Sequence, residues 1–474
     1  MLCLAGGALA MASCADDDLS GERFNNGVYN TQLQAPSADD IKVTQSADGM
    51  TQTISWPVVM GAGGYHAILS NADNGKVLTD TIVDGISFAT DNEEDTHYQL
   101  QLSVCENKAH NNTASEAVTK AYDTFTVTYA TIPTGTDLYE YFTQNPAPDK
   151  SKDEMIYYAL EPGGEYTLSQ TVDFGNHRVT LRATTAGKAS IKIAKDAHFV
   201  TGAPFALKHF NIDASETSSQ LISLSKTPDE SLKGATGSGD YYNIMGTINL
   251  TNCNINGLNS SLLSDEDTKY CVETFLINNC VIKMTYTEAK PVSAVIYFKK
   301  GFANTLQIKN STIWNAGSAD PKYFVAYENN ARCTRAGYSS NVVNIQNSTF
   351  YNVAKNEQMA NYRGLGGQKT TFITISNNIF VDCGNKQVVK RFLVQREPDS
   401  YGGVTFGNNT YMFNGEFESK GGIVPGDKQA YDQSGTAIEE DPGFKDAANG
   451  DFTISGATQI ARKTGDPRWI PEAE

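Results

Sequence analysis

The chain has 474 residues, enough for one long core or two to three ordinary ones. Asn, Gly, Ser and Thr are frequent and long 3.6-period apolar runs are scarce, which favours strands and turns over helices. The formal net charge is −17, and no apolar run after the N-terminal segment is long enough to cross a bilayer, which argues against nucleic acid as a partner and against a membrane-spanning chain.

The N-terminal MLCLAGGALAMASCADDD is apolar and ends in the small residues Ala12 and Ser13 before Cys14. It is too short to span a bilayer and reads as the right-hand part of a secretory signal. Its lack of a positively charged start implies a precursor that begins further upstream. The junction resembles a bacterial lipobox, with Met11 where Leu is commoner. That resemblance implies lipidation at Cys14, an outer-membrane, cell-surface location, and contact with the membrane through the lipid anchor alone. Asp16, Asp17 and Asp18 resemble the acidic export tag on surface lipoproteins of glycan-foraging Gram-negative bacteria, which implies other surface glycan-uptake proteins as partners. The alternative is an ordinary periplasmic signal followed by an acidic linker. Residues 1–14 are therefore assigned to a signal peptide with lipobox and 15–36 to a tether.

Residues 37–130 alternate apolar and polar in short runs. "TQTISWPVV" puts Ile54 and Trp56 on one face, "GGYHAILS" does the same with Tyr65, Ala67 and Leu69, and "HYQLQLSV" with Tyr98, Leu100 and Leu102. This order resembles a fibronectin type III domain, a β-sandwich in which Trp56 belongs to the core and the domain acts as a spacer. Residues 131–151 are read as a linker.

The segment 152–425 is repetitive. Six octets align without gaps: INLTNCNI, FLINNCVI, LQIKNSTI, VNIQNSTF, ITISNNIF and VTFGNNTY. Each has Asn at its fifth place: Asn252, Asn279, Asn310, Asn347, Asn377 and Asn408. Self-similarity at this spacing indicates a solenoid. Places one, three and eight are apolar and face inward, while the Asn occupies a sharp corner that needs left-handed backbone, which Asn tolerates better than other non-glycine residues. Stacked coils would let the six amides form a ladder. "SAVIYF", "KYFVAY" and "RFLVQ" read as further strands between octets. The entry "YYALEPGGEYTL" and the Asn corners resemble pectate-lyase-like right-handed parallel β-helices. The fold class is thus all-β, an N-terminal β-sandwich followed by a right-handed parallel β-helix. As a whole the chain resembles an uncharacterised group of surface β-helix lipoproteins found near polysaccharide-utilisation genes. The tail 426–474, with Asp-Pro-Gly-Phe and Gly-Asp-Phe-Thr-Ile, is similar to the closing segment of secreted β-helix proteins and is read as a cap.

Chemistry is harder to find. All six His precede the explicit repeats, none in metal or triad spacing, and the Cys show no CxxC pattern, so no metal site is expected. Residues 1–150 hold 6 Lys/Arg against 20 Asp/Glu, whereas 283–396 hold 15 against 5. A basic island in an acidic chain points to an anionic partner, here an anionic, uronic-acid-type polysaccharide. The five carboxylates of that island are scattered, against the paired set of a glycoside hydrolase. Counting back from the corner Asn residues, Lys299, Arg335 and Arg363 are candidates for a catalytic base. Lys300, Tyr327, Arg332, Tyr338, Tyr362, Lys390 and Arg396 are candidates for ligand contact. Binding is the first expectation. Cleavage by β-elimination with a Lys/Arg base, as the pectate-lyase resemblance implies, is the alternative, and an adhesin or structural solenoid is the second. No cofactor is evident; calcium is implied only if the chain is a lyase.

Overall fold

The computed structural model describes residues 27–45, 51–93, 96–125, 127–184, 187–234, 240–329, 333–394, 396–417 and 430–472. The signal segment, Cys14 and Arg332 lie outside the described residues. The chain divides into two units, Met1–Phe125 and Thr126–Glu474.

The first unit is a sandwich of two antiparallel sheets. Lys42–Gln45, Thr51–Ser55 and Ser87–Asp91 form one, and Val77–Val83, Tyr65–Asn71, His97–Val104 and Val118–Asp123 the other. Alternation sets the register: Tyr65, Ala67 and Leu69 lie opposite Val104, Leu102 and Leu100, and all six are buried. Trp56 is buried with its ring 5.3 Å from Tyr65, a core side chain as expected. The tether reading fails for its last residues. Leu33 is buried, its amide donates to Thr113 O at 3.0 Å, and Asn112 Nδ2 donates to Val28 O at 2.7 Å, so residues 28–33 are docked on the sandwich.

The second unit is a parallel β-helix. Its first sheet has ten strands, its second has ten of which the last is antiparallel, and its third has seven. Each coil passes from first to second to third sheet. One runs through Phe302–Lys309, Thr312–Asn315 and Tyr323–Tyr327. Strands in register between coils, such as Leu306 opposite Phe275 and Val343, stack like on like. Right-handed connections are what strand twist favours in parallel crossovers. Residues expected to be a linker are part of this unit. Thr128–Ile132 extends the first sheet, and the helix Leu138–Gln144 packs Phe142 on Tyr158 and Phe174 of the first coil.

The corner Asn residues carry the turn as the octets predict. Asn252, Asn279, Asn310, Asn347, Asn377 and Asn408 all have φ between 48° and 55°. A conformation that costs an ordinary L-residue about 1–2 kcal/mol is thereby assigned to the side chain that tolerates it best. His209 (φ 64°) occupies the same place one coil earlier, which the octets did not reveal, and its Nδ1 accepts from Asn252 Nδ2 at 2.8 Å. The amide ladder itself is broken. Asn279 donates to Asn252 at 3.3 Å and Asn408 to Asn377 at 3.0 Å, but Asn310 reaches Asn278 instead, at 3.5 Å.

The continuous ladder lies one residue further on, inside the corner. Cys253, Cys280, Ser311, Ser348, Asn378 and Asn409 are fully buried. Each of the first five donates its backbone N–H to the side chain of the next, at 3.4, 3.0, 3.2, 3.0 and 3.0 Å. This satisfies a buried amide at every corner, which would otherwise cost about 1–3 kcal/mol each.

Two further expectations fail. "RFLVQ" is not a strand: Val388–Phe392 is a helix that takes the place of a third-sheet strand and buries Val388, Val389 and Phe392. The tail does more than cover an end. Residues 430–438 sit on the last coil, with Tyr411 Oη donating to Asp432 at 2.8 Å, but the rest runs back along the second sheet as a strap. Arg462 meets Asn408 at 3.2 Å, Gly465 N meets Asn377 O at 2.8 Å, Asp466 meets Thr312 at 2.7 Å, and Arg468 meets Asn279 at 2.7 Å. The strap buries the outward Thr312, Thr349 and Thr410, which an open stack would leave in water.

Candidate functional site: a basic groove on the third sheet

The third-sheet strands Ala294–Phe298, Tyr323–Tyr327 and Gln358–Tyr362 end in register, Phe298 beside Tyr327 beside Tyr362. Each terminal ring turns inward and is fully buried. Because side chains alternate across a strand, the next residue points outward, and those residues are Lys299, Glu328 and Arg363.

The turn bearing Lys299 is built by a buried carboxylate. Asp265 accepts from the backbone amides of Lys299, Lys300 and Gly301 at 2.9, 2.8 and 2.6 Å. Burial pushes its pKa up, opposed by those same amide bonds. The turn is tight: a Cβ at Gly301 would lie 2.2 Å from Tyr270 O, so only glycine fits. Lys299 and Lys300 reach out from this turn to Asp267, at 3.2 and 3.3 Å. The Lys299 ammonium, with Lys300 beside it, holds the Asp267 carboxyl below its ordinary range.

An open groove of about 540 Å³ follows these turns across four coils. Lys269, Lys299, Lys300, Lys322 and Arg363 line it against two carboxylates, Asp267 and Glu328, with Tyr323, Asn329 and Asn361 between. Arg363 is exposed and makes no hydrogen bond or ion pair among the described residues. Tyr297 donates to Glu328 at 3.2 Å, and burial together with that carboxylate pushes its phenol up to about 12.

The groove gathers Lys299, Lys300 and Arg363 of the residues expected from the sequence. It does not gather the other described candidates. Tyr327 and Tyr362 are core rings, 5.6 Å apart, and cannot stack on a ligand. Lys390 is buried on the helix Val388–Phe392. Arg335 and Tyr338 belong to an excursion that lies over the first sheet, where Ala336 O accepts from Asn243 and the Tyr338 hydroxyl meets Met245 Sδ at 3.4 Å. Arg396 is exposed but packs its stem by Gly367, outside the groove lining. Lys269, Lys322, Asn361 and the positioning Asp265 were missed. The signal for the groove was available in the strand ends, where an aromatic is followed by a charged residue: Phe298-Lys299, Tyr327-Glu328, Tyr362-Arg363.

No three His, Cys, Asp or Glu side chains converge as a metal site would need among the described residues. The groove's carboxylates are engaged by lysines or by Tyr297, so as they stand they do not fit a calcium site.

Fold and groove together define a parallel β-helix with a cation-lined trough along its third sheet. Three family models match successive parts of the chain, each described as a domain of unknown function: DUF4992 over residues 1–161, DUF4957 over 164–316 and DUF5123 over 343–469. No curated protein matches. Among solved structures the chain is similar to pectate lyase Pel3 from Pectobacterium carotovorum, at 12% identity over 86% of this chain and 99% of that one, with a TM-score of 0.23. It is also similar to pectate lyase PelI from Erwinia chrysanthemi, solved with tetragalacturonic acid, at 11% identity over 69% and 88%, with a TM-score of 0.15. Likeness at these scores carries no argument about chemistry.

Proposed function

We propose that this chain binds an anionic, uronic-acid-type polysaccharide in the third-sheet groove. The observation that carries the reading is the convergence of Lys269, Lys299, Lys300, Lys322 and Arg363 in one trough of an otherwise acidic protein. Long cationic side chains over an open floor suit a polymer, whose carboxylates they pair with while Tyr323 offers a ring to a sugar face. In this reading the protein is a lipid-anchored lipoprotein of the outer-membrane surface. Its fibronectin type III-like sandwich is a spacer, and other surface glycan-uptake proteins are its partners.

Binding is favoured over cleavage because one of the two candidate bases in the groove, Lys299, is held to Asp267, which leaves Arg363 alone to act as one. Elimination needs a base free to take a proton beside a neutralised carboxylate. The test is electrophoresis of the purified protein through gels containing acidic glycans, with the ultraviolet absorbance of unsaturated products followed in parallel. Retarded migration without absorbance, lost in Lys299→Ala/Arg363→Ala, supports binding. Rising absorbance removed by Arg363→Ala establishes a lyase instead, and unretarded migration on every acidic glycan refutes the reading. Release from membranes on Cys14→Ala tests the anchor.

A further inference from the structure

Charge alternates at the place directly after each third-sheet strand, within a groove lined by five cations and two carboxylates. Lys299, Glu328 and Arg363 occupy equivalent places on three consecutive coils, and Glu266 holds that place one coil earlier. Adjacent coils are about 4.8 Å apart, so Lys299 and Arg363 are separated by about 10 Å with a carboxylate midway. Glu328 is half-buried and its position is fixed by the Tyr297 hydroxyl at 3.2 Å. It cannot swing aside without giving up that bond.

We infer that the groove selects a glycan whose anionic groups recur on every second sugar, an alternation of charged and neutral residues, over a polymer charged on every sugar. The inference rests on the reading above and sharpens it. A polymer lying along the stack with one carboxylate per sugar sets a like charge against Glu328. An alternating polymer sets a neutral sugar there, whose hydroxyl or amide N–H donates to the carboxylate while Asn361 faces the same ring. The two cations then meet successive anionic groups. Selectivity comes from the repulsive element as much as from the attractive ones.

The test measures binding of the full chain to hyaluronan, which alternates a uronate with a neutral amino sugar, to polygalacturonate of matched length, and to neutral dextran. Hyaluronan is expected to bind about fourfold more tightly than polygalacturonate, which is what one like-charge contact at a single coil spacing is worth in water. Glu328→Gln is expected to shrink that ratio to near one by tightening polygalacturonate. Equal or tighter binding of polygalacturonate by the unaltered protein, or a ratio that Glu328→Gln leaves unchanged, overturns the alternation while leaving the polysaccharide reading intact. Retention of neither acidic polymer, or of dextran equally, overturns both. An unchanged thermal transition and circular dichroism spectrum keep a misfolded variant out of the comparison.

Discussion

Asn378 is the best place to test what holds the corners. Its side chain is fully buried. Oδ1 accepts from Ser348 N at 3.0 Å, and Nδ2 donates to Ile345 O at 2.8 Å and to Asn409 Oδ1 at 3.1 Å. Asn378→Val leaves one amide and one carbonyl buried without those partners, at about 1–3 kcal/mol each, so a loss of about 2–6 kcal/mol is expected. Asn378→Ser is the informative partner. One and two coils earlier Ser348 and Ser311 fill the same place, each accepting the preceding amide and donating to a carbonyl of its own strand at 2.8 and 2.7 Å. Serine at 378 can repeat both of those bonds and keep the Ser348 amide paired, leaving only the Ile345 carbonyl without its partner, so it should cost less, about 1–3 kcal/mol. Urea unfolding followed by circular dichroism reads the difference, with midpoints compared because a long solenoid need not unfold in two states. Equal losses for Val and Ser would refute the argument, since the hydrogen bonds would then contribute nothing beyond volume.

Three further outcomes follow from the same geometry. Tyr327→Ala should cost about 3–5 kcal/mol of stability, as a large core truncation does, yet leave retention in acidic-glycan gels unchanged per folded molecule; lost retention at full stability would return Tyr327 to the ligand surface. Asp466, buried under the strap, has its pKa raised to about 6 by desolvation, opposed by Arg468. The folded chain therefore keeps a proton that the unfolded chain has lost, and stability falls as pH rises from about 4 to about 6, by about 3 kcal/mol at most. Asp466→Asn should flatten that part of the pH profile of the urea midpoint, and an unchanged slope would contradict the assignment. Asp265→Ala should lower glycan retention as much as Lys299→Ala/Lys300→Ala does, because it releases the turn that presents both lysines; Asp265→Asn, which keeps an acceptor, should fall between.

The corner was legible because one conformation demands one kind of residue. Left-handed backbone recurs once per coil, and Asn marks it six times. The inner ladder was not, although it is the more continuous of the two. Cys280, Ser311 and Asn378 have little in common by polarity or volume, and what unites them is an atom able to accept a hydrogen bond two bonds from the backbone or nearly so. Composition exposed a basic island but not which side of each strand its members take. Tyr327 and Tyr362 read as ligand platforms for want of that parity, and the buried Lys390 for want of the helix that carries it.

Counting back from the corners failed for a geometric reason. Lys299 lies 11 residues before Asn310 and Arg335 lies 12 before Asn347, so equal places seemed implied. Between Arg335 and its corner, however, the chain starts in a helical turn, Cys333–Ala336, which advances about 1.5 Å per residue where a strand advances about 3.3 Å. The same number of residues therefore spans a different distance, and the excursion sends Arg335 over the first sheet. Arg363 lies 14 before Asn377, the worse match by count, yet it falls beside Glu328 because both follow a third-sheet strand whose end is fixed by its neighbours. Position in a solenoid is inherited from the last hydrogen-bonded strand rather than from the next corner. A site built on residues directly after such strands has its spacing set by the coil rise, and the proposed reading of a polymer's charge pattern depends on that fixed spacing.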